Sequence, residues 1–139
     1  MDEQRRAVAT WLRLARVFHK IDHASVEQMR AWDLSLAQFD VLARVGASEG
    51  VTQQQLADRL LVTKGNICQL LDRMEARGLL ERRQEGRANR IFLTESGQAL
   101  WNQAVPAHEA LIGELMGALS LDEQAELLPL VRKLDHMLD

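Results

Sequence analysis

Residues 52–94 constrain the fold of this chain more than any other stretch. They contain two short segments with apolar residues at helical spacing, followed by two strand-like runs on either side of a glycine. Thr52 precedes Gln55 by three residues, which is the spacing of a capping box and predicts a helix N-terminus. Gly78 and Gly86 predict a helix end and a hairpin turn. The order helix, helix, hairpin is typical of a helix-turn-helix followed by a β-hairpin wing.

The second helical segment has a well-defined apolar face. Four apolar residues from Ile67 to Met74 follow the i, i+3, i+4, i+7 spacing that places side chains on one side of a helix. The amides Asn66 and Gln69 then lie on the outer side, where such groups can pair with adenine in the major groove. A helix start also favours phosphate. The candidate DNA-contacting residues of this segment are Thr63, Lys64, Gly65, Asn66, Gln69 and Arg73.

Basic residues are concentrated in the same part of the chain. The 139-residue chain has a net charge of −3, yet residues 52–93 contain eight Lys/Arg and five Asp/Glu, a net charge of +3. A locally basic module on an acidic body is typical of a site-specific DNA-binding protein. An arginine at the tip of a hairpin can enter a minor groove, although arginines on a hairpin can also be solvated surface charges. The candidates in the hairpin are Arg83, Arg87 and Arg90.

The flanking segments are helical patterns with apolar stripes. The periodicity predicts a long helix over about residues 4–30, a second helix that begins after Ser35 and ends at Gly46, and helices over 94–139 with a kink or restart at Pro106. The central module is too small to cover these stripes, so we expect a homodimer that buries them. The predicted fold is α+β, mostly α. It is one domain over residues 1–139, with a winged helix-turn-helix at about 36–97 and N- and C-terminal dimerisation helices at about 4–30 and 94–139.

Several other classes of protein are not indicated. No apolar run approaches the roughly 18 residues of a membrane span, and the N-terminus has no secretory pattern. The single cysteine, Cys68, suits a reducing compartment, so a cytoplasmic location is expected. The chain has no glycine-rich phosphate loop, nucleophile motif or convincing acid/base pair, so neither an enzyme nor a cofactor is predicted. A protein–protein adaptor is the alternative outside DNA binding, but its recognition face would be apolar or acidic.

Residues 36–97 resemble the MarR family of winged-helix transcriptional regulators. The resemblance is carried by the pattern LxxRLxVxxxxICQLLDRMEARGLLERR and the closing RIFLTESG. It implies a homodimer that binds a pseudo-palindromic operator, usually as a repressor, and that is released by a small phenolic or lipophilic ligand. The alternative is a DNA-binding regulator of the same fold that responds to a metal or an oxidant, or to no ligand. The family's recognition helix falls on residues 63–77 and its wing-tip arginine on Arg87. The wing is shorter than the family's common form and lacks the Asp of its Asp-x-Arg tip, which leaves Glu85 or Asn89 to brace Arg87.

The resemblance also indicates where a signal would enter. Family ligand pockets lie between the first, second and fifth helices, and core or dimer packing is the alternative role for the residues there. Cys68 is either an oxidation site on the recognition helix or a small, partly buried filler. His19 and His23, four apart, and His108 are either a metal-responsive set or surface histidines, and no metal site is predicted. The candidate pocket residues are Trp11, Arg16, His19, Trp32, Phe39 and Trp101.

Overall fold

The computed structural model describes residues 2–60 and 64–139, without the side chains of Lys64 and Gly65. The chain divides into two compact units, residues 1–108 and 109–139. No described helix is both long and apolar enough to cross a membrane. The elements in chain order are α1 (Glu3–Met29), a 3₁₀ turn (Arg30–Trp32), α2 (Leu36–Ala47), β1 (Val51–Thr52), α3 (Gln53–Leu60), α4 (Lys64–Ala76), β2 (Leu80–Glu85), β3 (Ala88–Leu93), α5 (Glu95–Met116) and α6 (Leu121–Met137).

Three helices begin at capping boxes, and the boxes at Ser35 and Thr52 confirm the two helix starts that the sequence predicts. In each pair the side chain of the first residue accepts from a backbone amide three residues later, and the side chain of that later residue accepts from the first residue's amide. These reciprocal bonds satisfy amides that a helix start leaves without partners. The pairs are Ser35 with Gln38, Thr52 with Gln55 and Ser120 with Glu123.

Gly78 ends α4, as predicted. Its φ is 74°, in the left-handed region that glycine adopts without steric cost. The Gly78 amide donates to the carbonyl of Glu75 at 2.9 Å, and the Leu79 amide donates to the carbonyl of Met74 at 3.1 Å. These two bonds form a Schellman motif, and the buried side chains of Met74 and Leu79 fit its hydrophobic contact.

A second cap of the same type, which the sequence did not predict, closes the 3₁₀ turn after α1. Asp33 is left-handed, with a φ of 52°, and its amide donates to the carbonyl of Arg30 at 3.2 Å. The Leu34 amide donates to the carbonyl of Met29, also at 3.2 Å. A non-glycine residue in this conformation costs about 1 kcal/mol, so the surrounding contacts must hold the turn between α1 and α2.

The prediction that Gly46 ends α2 was wrong. The helix continues to Ala47, and Ser48 is its C-cap. A Cβ atom at position 46 would overlap the indole ring of Trp101 in α5, whose Nε1 donates to the carbonyl of Ala43 at 3.4 Å. Glycine is therefore needed at this position because α5 packs closely on α2. The α5 helix also continues through Pro106, so the helix does not restart there.

The sheet is antiparallel, with the strand order β1-β3-β2. The sequence predicted the hairpin but not β1, in which Val51 pairs with Ile91. In the hairpin Glu85 pairs with Ala88, so only two residues form the loop. Among the described residues, the largest fully buried side chains are Met29, Val41, Leu42, Val45, Leu56, Ile67, Leu71, Met74, Leu80 and Ile91.

The second unit contains the end of α5 and all of α6. The Gln124 side chain donates to the carbonyls of Met116 and Leu119, at 3.0 and 3.2 Å, and so holds the turn between the two helices. No residue of α6 is buried within the chain. Its exposed large apolar side chains are Leu121, Leu128, Leu130, Val131, Leu134 and Met137.

Candidate nucleic-acid interface

The helix α4 is fixed in the core by one face and exposes the other. Ile67, Leu71 and Met74 are fully buried, and this spacing leaves the opposite face to solvent. Asn66, Gln69 and Arg73 are exposed there, as the sequence predicts. The structure therefore brings these three candidates together on one surface.

Three candidates at the start of the recognition-helix segment, Thr63, Lys64 and Gly65, are only partly described. Thr63 lies outside the described residues, and so does the helix start predicted at that position. Lys64 and Gly65 form the first turn of α4, but their side chains are not described. The assignment of these three residues to DNA contact stays a prediction.

Two of the exposed side chains on α4 are available to a ligand. Among the described residues, none forms a hydrogen bond or ion pair with the side chain of Gln69 or Arg73. An amide and a guanidinium one helical turn apart offer both donors and an acceptor to the edge of a base pair. This combination is the chemistry that contact with a major groove requires.

Two of the three candidate arginines in the hairpin are held by the protein itself. Arg83 pairs with Glu81 and lies over the ring of Phe92, with its Cζ 4.3 Å from the ring centroid. Arg90 donates to the carbonyl of Gly50 at 2.9 Å and pairs with Glu85. These contacts stabilise the hairpin and its junction with β1. They also leave fewer N–H groups of each guanidinium free to bind phosphate.

Arg87 is the exposed cation at the tip of the hairpin. It follows Gly86, whose φ of 64° and position as the first of two loop residues are what a type II′ turn requires. Within the described residues, the Arg87 side chain has no hydrogen bond or ion pair. Glu85, one of its two predicted braces, pairs with Arg90 instead. Arg87 is thus the most available arginine of the wing.

A cleft of about 500 Å³ lies between the hairpin and the helices α3 and α4. Arg87 and Asn89 line it on the hairpin side, and Gln53 and Cys68 on the helix side. The Gln53 Nε2 lies 2.7 Å from the Cys68 Sγ, and Cys68 is only partly exposed. This packing favours the role of a filler for Cys68, while its oxidation stays an open prediction.

Arg82 was not among the candidates, yet it joins the hairpin to α4. Its guanidinium pairs with Asp72 and with Glu75, and its backbone amide donates to Glu75 at 3.1 Å. Burial opposes the charge of Arg82, but the hydrogen bonds and charges of the two carboxylates outweigh it and raise its pKa above the ordinary value. The spacing of Asp72 and Glu75, three apart on α4, was the available sequence signal, but it does not identify the partner.

The candidate pocket residues separate into two groups. Trp11, Arg16 and His19 lie on the exposed part of α1. Arg16 and His19 line a shallow groove of about 520 Å³, which includes none of the candidate tryptophan or phenylalanine residues. Phe39 is buried in the core, and Trp101 packs at Gly46. Trp32 donates from Nε1 to the Oε1 of Gln103 at 3.3 Å.

A polar cluster lies where α1, α2 and α5 meet within residues 1–108. The Ser25 Oγ and the His108 Nε2 are 3.1 Å apart, and the His108 ring packs 4.6 Å from that of Phe39. Gln28 donates to the carbonyl of Ala107 at 3.0 Å, while no described residue donates to its buried Oε1. Nearby, burial raises the pKa of Asp40, and the charges of Arg44 and His108 oppose that shift.

The three histidines named as a metal-responsive alternative have different surroundings. His19 and His23 line the groove on α1, whereas His108 contacts Ser25 and Phe39. In the described part of the chain, no group of three or more His, Cys, Asp or Glu side chains is placed to hold a metal ion.

The helix pair α3–α4, followed by the antiparallel hairpin β2–β3, defines a winged helix-turn-helix protein. A model of the MarR family matches residues 32–91. An HTH-type transcriptional regulator of Bacillus cereus is 35% identical over 118 residues, which is 85% of this chain and 80% of that protein. The chain belongs to the MarR family of transcriptional regulators.

Solved structures agree with this family. The structure of a mutant of MarR from Escherichia coli, complexed with operator DNA, is similar with a TM-score of 0.83 and 28% identity, over 96% of this chain and 99% of that one. AbsC, a MarR family transcriptional regulator from Streptomyces coelicolor, is similar with a TM-score of 0.89 over 99% of this chain and 96% of that one. At 19% identity, the second likeness concerns the fold alone.

Proposed function

We propose that this protein is a homodimeric repressor whose α4 helices bind successive major grooves of a pseudo-palindromic operator. The observation that carries the proposal is the exposed face of α4, where Gln69 and Arg73 are unpaired within the described residues. Two helices related by a two-fold axis match half-sites about 34 Å apart. The MarR structure that contains operator DNA supports the same use of this fold.

The homodimer is supported by the apolar surface outside the DNA-binding module. On α1, the apolar stripe ends at Met29, which is buried. Toward the N-terminus the same stripe includes Phe18 and Trp11, which are 64% and 65% exposed. On α6, large apolar side chains are exposed along the helix. Exposed apolar surface of this extent marks an interface, and a second copy of the chain is the partner that a two-fold operator requires.

We further propose that a small aromatic or lipophilic effector lowers DNA affinity by binding near the junction of α1, α2 and α5. No described residue donates a hydrogen bond to the buried Gln28 Oε1, so this amide oxygen can accept one from a ligand hydroxyl or amide. A ligand lowers DNA affinity only if it binds the form of the dimer that does not fit DNA more tightly than it binds the form that does. Simple phenols are suitable probes, with DNA affinity as the measurement.

The experiment measures affinity for a duplex of about 30 base pairs, selected from a random pool, which is long enough for two half-sites. Gln69→Ala and Arg73→Ala should each weaken binding about tenfold, because each removes a contact with a base or phosphate. Light scattering should show that both variants remain dimers. Arg30→Ala, which removes an exposed arginine paired with Glu27, is the control and should bind like the wild type. Unchanged affinity in both α4 variants would exclude α4 as the DNA-binding surface.

The sign of regulation needs a separate measurement. A reporter gene placed behind the selected duplex should be transcribed less when the protein is present and should recover in the Arg73→Ala variant. Higher transcription in the presence of the wild-type protein would show an activator instead.

A further inference from the structure

The side chain of Arg77 joins the C-terminal ends of two helices. Arg77 is the residue between the end of α4 and its left-handed cap at Gly78. Its Nη1 donates to the carbonyl of Asp33 at 2.8 Å, and its Nη2 donates to the carbonyl of Trp32 at 3.2 Å. Both carbonyls belong to the cap that follows α1. One guanidinium therefore connects the end of α4 to the turn between α1 and α2.

This contact has a specific physical basis. The last carbonyls of a helix lack amide partners and carry partial negative charge. Two helices that end side by side therefore both favour a cation between them. A guanidinium presents two N–H groups in a fixed plane, so it can bind two carbonyls at once, whereas an ammonium is a compact point charge. The geometry requires arginine in particular, and not merely a positive charge.

The same turn is also bound to α2 and α5. Trp32 donates from its indole Nε1 to the Oε1 of Gln103 in α5 at 3.3 Å. Gln38, which completes the capping box of α2 with Ser35, has its Oε1 3.5 Å from the Arg77 Nη1. A displacement of α5 or of the end of α1 would therefore move the two carbonyls that Arg77 binds.

We propose that Arg77 is a positioning residue for DNA binding, which sets the orientation of α4 relative to α1 and α5. It carries movements of those helices to the exposed face of α4 without contacting DNA itself. The inference rests on the proposed function, in which α4 is the DNA-binding helix. It adds a route by which a change in the outer helices alters DNA affinity.

The test compares Arg77→Ala and Arg77→Lys with the wild-type protein and the Arg30→Ala control on the selected duplex. Affinity is measured by fluorescence anisotropy at several salt concentrations, after thermal unfolding has shown that each variant is folded at the assay temperature. Both Arg77 variants should bind about fivefold more weakly, since lysine cannot hold the two carbonyls together. The dependence of affinity on salt should not change, because no phosphate contact is lost.

Two results would overturn the proposal. If Arg77→Lys binds like the wild type while Arg77→Ala lowers the salt slope by about 0.9, Arg77 contacts a phosphate. If both variants bind like the wild type, the arginine stabilises the fold only. A wrong proposed function would give a different result. The wild-type protein would then select no sequence from the random pool, and Gln69→Ala would not change DNA affinity. If Arg77→Ala is unfolded at the assay temperature, the comparison of Arg77→Lys with the wild type decides.

A double-mutant cycle tests the link to α5. Gln103→Ala removes the acceptor of the Trp32 indole and should weaken DNA binding about twofold in the wild-type background. In the Arg77→Ala background the same change should have no effect, because the turn is already disconnected from α4. Losses that simply multiply would show that α5 does not act through Arg77.

Discussion

The helix α4 and the hairpin β2–β3 line opposite sides of one cleft, but their polar side chains are held differently. On α4, Gln69 and Arg73 are exposed and unpaired within the described residues. On the hairpin, Arg83 and Arg90 are engaged by carboxylates and by a backbone carbonyl. The helix offers its polar groups to a ligand, while the hairpin uses most of its own for internal contacts.

The register of the hairpin explains this difference. Arg83 and Arg90 are direct cross-strand partners, so their side chains project from the same face of the sheet. Like charges at such positions destabilise a sheet, and each arginine is bound by a nearby glutamate. The positive charge of a segment therefore overestimates its capacity to bind DNA where arginines must first be neutralised within the fold.

The two sides should also differ in how firmly they are anchored. Leu71→Ala, in the fully buried face of α4, should lower the free energy of unfolding by about 3 kcal/mol through lost transfer energy and a cavity. Phe92→Ala, on the partly exposed outer face of the hairpin, should lower it by about 1 kcal/mol, mainly through the lost contact with Arg83. Urea denaturation measures both, and an equal loss in the two variants would contradict this contrast.

The bridge between the two sides is Arg82. Arg82→Ala leaves the carboxylates of Asp72 and Glu75 without their shared cation and should cost about 1.5 kcal/mol, a moderate value because both carboxylates are partly solvated. Arg83→Ala is the matched control, since Glu81 lies two residues away in the same strand, and it should cost less. Denaturation midpoints would show whether the bridge to α4 matters more; equal losses would mean that it does not.

Much of the fold follows from local sequence signals. Capping boxes and Gly78 located helix ends because those positions satisfy backbone groups within a few residues of chain. Gly46 was misassigned because its role depends on Trp101, far away in sequence. The left-handed Asp33 was missed for a similar reason, since Arg77 supports its turn from another helix. Strand β1 was missed because a two-residue strand has no periodicity of its own.

The candidate site was also predictable where it depends on local spacing, and not where it depends on contacts between elements. The exposed face of α4 follows from helical periodicity, so Gln69 and Arg73 were identified from spacing alone. The state of each wing arginine depends on strand register and on which carboxylate lies within reach. The spacing of Asp72 and Glu75 does not identify Arg82 as their partner, and Arg77 has no sequence signature, because both arginines act through partners on other elements.

Within the comparison of α4 with the hairpin, Arg87 gives the smallest expected effect and the most direct test of the wing. Arg87 is the one wing candidate that is unpaired within the described residues, and it lies on a two-residue loop. Arg87→Ala should therefore weaken binding about threefold, less than Gln69→Ala. Arg87→Lys separates two kinds of contact. Near-complete retention of affinity indicates a phosphate, whereas a loss equal to that of alanine indicates arginine in a narrow minor groove. A loss larger than that of Gln69→Ala would reverse the comparison and make the hairpin tip the stronger side of the cleft.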